Sequence, residues 1–119
     1  MTLLELTVVI LVLLALIVTL FTGARAWLRG SNKASCILNI RNVQQAVRSH
    51  QNLNGLADGA ALDVAGQLIG PGNFIETASV CPAIGTYTYA STIPPVGTLA
   101  MTCSLAGSQE HVPADYSGW

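Results

Sequence analysis

Glu5 is the one ionisable side chain in the first 24 residues, set in a run that is otherwise apolar apart from a few threonines. A carboxylate near the centre of a bilayer costs about 2.5–3.5 kcal/mol by insertion scales, and less near an edge. Something must offset that cost. The nearest cation is the α-amino group of Met1, and a neighbouring helix shifted by a few residues presents its amine better than the same helix does. That arrangement describes a bundle growing by staggered addition, with Thr2 hydrogen bonding near the same amine. The plainer reading leaves Glu5 solvated at the membrane interface.

The other reactive side chains are sparse. Cys81 and Cys103 bracket a candidate hairpin and are expected to form a disulfide. The bond would close a 23-residue loop and contribute about 3–3.5 kcal/mol in the chain-entropy model. Cys36 is left over on a helix; it reads as a small buried apolar residue, with pairing to a head cysteine as the alternative. His50 and His111 lack ligand-spaced partners, so no metal site is expected. Asp58 and Asp63 stand in a loop without the dense oxygen ligands of a calcium site. No nucleophile motif and no phosphate-binding glycine loop is present, so neither catalytic residues nor a cofactor are expected.

The elements that must position these residues follow from periodicity. From Leu6 to Ala24 there is no charge over about 19 residues, roughly 28 Å of helix and close to the hydrocarbon thickness of a bilayer. Thr7, Thr19 and Thr22 can return their hydroxyls to the helix backbone. From Arg25 to Asn54 the apolar residues Trp27, Ala34, Ile37, Ile40, Val43 and Val47 keep helical spacing, while Arg41, Gln44, Gln45 and Arg48 fill other faces. Asn54-Gly55 is a helix stop. Residues 1–24 therefore read as an apolar transmembrane or filament-core helix, 25–54 as an amphipathic stem continuing it, and 55–119 as a small stapled head. In the head, a helical turn is expected near Ala60–Leu68. Strand formers at Thr86–Thr92 and Thr98–Cys103 flank the turn residues Pro94-Pro95-Val96-Gly97. The fold class is α+β, a long N-terminal α-helix with a small C-terminal β-hairpin head.

Composition agrees with this division. Of the 119 residues, 51% are hydrophobic and only 9% charged, with a net charge of −1. That excludes a disordered chain and a basic nucleic-acid binder, and it disfavours a small soluble enzyme. All five basic residues lie between Arg25 and Arg48, and the five acids other than Glu5 all follow them. Basic stems meeting acidic heads of neighbouring copies would set register.

Met1-Thr2-Leu3-Leu4-Glu5-Leu6-Thr7-Val8-Val9-Ile10 resembles the start of a mature type IV pilin or type II secretion pseudopilin. That family reads aromatic-Thr-Leu-aliphatic-Glu-Leu before an unbroken apolar helix. Residue 1 is Met where the family usually has Phe, and residue 22 is Thr where many major pilins have Pro. The tract Cys81-Pro82-Ala83-Ile84-Gly85-Thr86-Tyr87, with Thr102-Cys103-Ser104 and His111, resembles more loosely the tail of some short pseudopilin-like proteins. The resemblance implies a leader removed before Met1 by a prepilin peptidase, and methylation of the new amine. It also implies an inner-membrane subunit that an assembly machinery builds, with copies of itself, into an extracellular filament. Basic residues on the C-terminal side of the span would by themselves hold residues 25–119 in the cytoplasm; a removed basic leader resolves that conflict. The competing expectations are a single-span anchored binding module and a filamentous virus coat protein.

Overall fold

The computed structural model describes residues 2–119; Met1 lies outside the described residues. The chain is α+β: helix α1 spans Leu3–Asn54, and strands β1 (Tyr87–Tyr89) and β2 (Met101–Cys103) form a two-stranded antiparallel sheet. Two compact units divide it, Met1–Ser31 and Asn32–Trp119.

α1 begins at a capping box. Thr2 Oγ1 accepts from the Glu5 backbone N–H at 3.3 Å, and Glu5 Oε2 accepts from the Thr2 N–H at 3.2 Å. Two donors that a helix start leaves without partners are thus satisfied reciprocally. Along the apolar run, Thr7, Thr19 and Thr22 donate to the carbonyls of Leu4, Leu16 and Thr19 at 2.8–2.9 Å. The helix stops at Asn54 because Gly55 takes φ +62°, a left-handed conformation that costs glycine little. The Leu56 N–H then returns to the Gln51 carbonyl at 3.0 Å, the six-to-one bond of a Schellman motif.

In the second unit, Cys36, Ile40, Val43 and Val47 form one buried stripe of α1. Their spacing of four, three and four residues keeps them on one helix face. Against them lie Leu62, Val64, Leu68, Cys81, Ile93, Ala100, Met101 and Cys103. Val64–Leu68 form a single π-helical turn whose N-cap, Asp63, accepts from the Gly66 N–H. The turn expected near Ala60–Leu68 is therefore present, but shorter and wider than an α-helical one.

The sheet register pairs Tyr87 with Cys103, Thr88 with Thr102 and Tyr89 with Met101. The run of strand formers does not stay with one partner. After Ala90, whose N–H still donates to the Ala100 carbonyl at 2.8 Å, the chain crosses to the 59–62 segment, where Leu62 N–H donates to the Ser91 carbonyl at 3.0 Å and Ile93 N–H to the Ala60 carbonyl at 2.9 Å. The Pro95–Thr98 turn closes with Thr98 N–H on the Pro95 carbonyl at 3.1 Å, and Gly97 supplies φ +88°.

Gln44, placed on a polar face by its type, is instead buried. Its Oε1 accepts from the Ala100 N–H at 2.8 Å and its Nε2 donates to the Thr98 carbonyl at 3.1 Å. The side-chain amide thus pairs with the backbone just before β2, so the buried Ala100 N–H keeps a partner.

Candidate functional sites

Two places in the chain carry chemistry. In the first unit, the large apolar side chains from Leu3 to Leu28 are exposed, among them Leu11, Leu14, Val18, Leu20, Phe21 and Trp27. α1 is long and apolar enough to cross a membrane. Such residues need either lipid or protein around them. Glu5 sits in the first turn, where the helix dipole favours a carboxylate. Its engagement with Thr2 is a role that the Thr-x-x-Glu spacing signals in sequence and that a reading of Glu5 as a charge alone passes over. Met1, the third residue assigned to assembly and the one assigned to N-terminal methylation, lies outside the described residues.

The second place is a buried cluster in the head. Cys36 comes from α1, Cys81 from the segment before β1, Cys103 from the end of β2 and His111 from the loop beyond it. All four are buried, and their ligand atoms lie within 4.8 Å of one another. The Cys81 and Cys103 sulfurs are 3.9 Å apart, and His111 Nδ1 is 3.5 Å from the first and 4.0 Å from the second.

The expected Cys81–Cys103 disulfide is not formed: all three thiols are free, and 3.9 Å is far from the bonded separation of about 2.05 Å. The two cysteines do share a pocket, as the hairpin reading required. Cys36 and His111 enter it with them: Cys36 is buried, as expected of a small core residue, and also stands beside the head cysteines, whereas the partners of His111 are not visible in its spacing along the chain. Ligand spacing along the chain detects sites built from local pairs. Here each ligand comes from a different element.

The surroundings of the sulfurs are polar where it matters. Burial pushes the Cys36 thiol up to about 12, against a lowering contribution from the Tyr87 hydroxyl. That hydroxyl donates to Cys36 Sγ at 3.5 Å and accepts from Asn39 Nδ2 at 3.0 Å. Burial also pushes Cys81 upward. The backbone N–H groups of Ala83 and Gly85 and the neighbouring thiols outweigh it, leaving Cys81 below its usual value. Gly85 packs so closely that a Cβ there would stand 2.8 Å from Cys103 Sγ and 3.0 Å from Cys81 Sγ.

The remaining candidates have local structural roles. Asp58 accepts from Gln51 Nε2 at 2.9 Å, Asp63 caps the π-helical turn, and His50 meets Phe74 edge to face. Two basic residues are engaged within the chain: Lys33 pairs with Glu110 at 3.1 Å, and Arg48 donates to the carbonyls of Pro94, Pro95 and Trp119.

No family model, curated protein or solved structure matches the chain.

Proposed function

We propose that this chain is a structural subunit of an extracellular helical filament of the type IV pilus or pseudopilus kind, held in the inner membrane before assembly. The observation that carries the reading is the exposed apolar stretch of α1 from Leu3 to Ala24, with Glu5 as its single charge. In a bilayer those side chains are solvated by lipid, and lipid tails are as apolar as leucine, so there is little hydrophobic drive for helices to associate there. Outside the membrane the same side chains need copies of one another instead of lipid. Glu5 then supplies register, because a helix docked out of step leaves a buried charge unpaired at a cost of about 3–5 kcal/mol. Prepilin peptidase processing before Met1 and a dedicated assembly machinery belong to this proposal.

The stem charges support contacts between copies. Among the described residues Lys33 pairs with Glu110 at the surface and Arg48 with backbone carbonyls of its own chain, which leaves Arg25, Arg29 and Arg41 as the cations offered to acidic heads.

Hydrogen exchange on assembled material tests the proposal. Residues 6–22 should exchange slowly in intact filaments harvested free of membrane. Rapid exchange there, or a chain found only as a membrane-held monomer, would overturn it in favour of an anchored binding module.

A further inference from the structure

The buried cysteine–histidine cluster has the composition and dimensions of a metal site. A tetrahedral zinc ion takes sulfur at about 2.3 Å and imidazole nitrogen at about 2.0–2.1 Å, which sets neighbouring ligand atoms about 3.5–3.8 Å apart. The three edges among Cys81, Cys103 and His111 are 3.5, 3.9 and 4.0 Å, and Cys36 Sγ completes the set with every ligand atom within 4.8 Å of the others. We propose that the head binds one zinc ion through Sγ of Cys36, Cys81 and Cys103 and Nδ1 of His111.

Apolar packing alone does not account for the arrangement. Thiols can fill a core as small apolar groups, but a histidine only 1% exposed needs a partner for its ring nitrogen. The contacts of His111 Nδ1 are the Cys81 and Cys103 sulfurs. A Cys81–Cys103 disulfide would leave Cys36 and His111 without a role, whereas a four-coordinate metal uses every member.

The groups behind the ligands fit thiolates. Three thiolates and a neutral imidazole around a dication leave one net negative charge, spread over the sulfurs. The Tyr87 hydroxyl donates to Cys36. Asn39 in turn fixes the Tyr87 hydroxyl. Donors behind ligands are what orient metal thiolates and disperse their charge. Gly85 lets the backbone approach both sulfurs where any side chain would push them apart. A sulfur-rich tetrahedral set selects zinc over magnesium, calcium or manganese.

The consequence is a staple of a different kind from the one expected. A thin head needs a cross-link. The metal would tie the stem helix, the pre-β1 turn, the end of β2 and the last loop to one point. Binding displaces three thiol protons per ion and creates no sulfur–sulfur bond.

The test uses the full chain purified in detergent as unassembled subunit, so its outcome is independent of filament formation. Elemental analysis after growth with zinc should give close to one zinc per chain. The three thiols should resist alkylation until a chelator is added. Cobalt substitution should give thiolate-to-metal charge transfer and the intense visible bands of a tetrahedral centre. His111→Ala should lower zinc affinity at least about tenfold, and His111→Cys should retain the metal because it keeps four ligands. A wild-type chain that carries no zinc and contains a Cys81–Cys103 disulfide overturns the proposal, as does metal binding unchanged in both Cys36→Ser and His111→Ala. The wild-type metal and thiol measurements decide the matter even where a variant does not fold.

Discussion

Thr2 and Glu5 cap one another, each side chain accepting from the other's backbone N–H at 3.2–3.3 Å. The carboxylate that is proposed to direct assembly therefore also starts the helix. The two roles separate by substitution, because a glutamine amide oxygen can close the same box without charge. Glu5→Gln should keep helix content and membrane insertion while cutting filament yield sharply. Glu5→Ala should lose filaments and also weaken the first turn, and Thr2→Ala should cost about 0.5–2 kcal/mol of helix-start stability with a smaller effect on yield. The measurements are filament yield beside membrane-bound subunit, and helix content by circular dichroism. Normal filaments from Glu5→Ala would remove the charge from the account.

Gln44→Leu should destabilise the second unit by about 1–3 kcal/mol, since the Ala100 N–H and Thr98 carbonyl would lose their buried partner. Urea unfolding of the full chain in detergent, followed by tryptophan fluorescence, reads this. A midpoint equal to wild type would mean that water replaces the amide without cost.

Gly85→Ala should force the Cys81 and Cys103 sulfurs away from their present positions. Zinc affinity should fall about tenfold or more, and alkylation of both cysteines should quicken. Mass spectrometry of labelled peptides over time checks it.

Tyr89 gives a signed pH dependence. Burial raises its phenol above the ordinary 10.0, so the folded chain holds the proton more tightly than the unfolded one. The associated stability is fully present below pH 10.0 and is lost as pH rises through the higher folded value. Tyr89→Phe should flatten the alkaline decline of unfolding midpoints while leaving the neutral value within about 1.5 kcal/mol of wild type.

The single helix and its stop are legible in sequence because both depend on neighbours in the chain: apolar spacing of three and four, then Asn54-Gly55. The hairpin is legible only in part. Strand propensity marks Thr86–Thr92 as extended but does not name a partner, and the structure gives Tyr87–Tyr89 to β2 while Ser91–Ile93 pair with the 59–62 segment. Gln44 is illegible for a related reason: its burial follows from a backbone N–H at Ala100 that lies 56 residues away. The cysteine–histidine cluster is the extreme case. Cys81 is 22 residues from Cys103 and 30 from His111, and Cys36 joins from the stem helix, so its ligands become neighbours only after the head has folded around α1.

The wide separation of Cys36 from His111 also imposes an order in time. The stem face that carries Cys36, Ile40, Val43 and Val47 leaves the ribosome long before the loop that carries His111. At roughly 5–20 residues per second, the 74 positions between Cys36 and His111 take about 4–15 s to synthesise. For that interval the stem presents a reactive thiol and an apolar stripe without the residues that later cover them. Biogenesis of this chain is therefore most exposed to oxidation and mispairing before its last ten residues are made, and a chaperone or reductant acting at that stage would protect a site which the folded chain protects by itself.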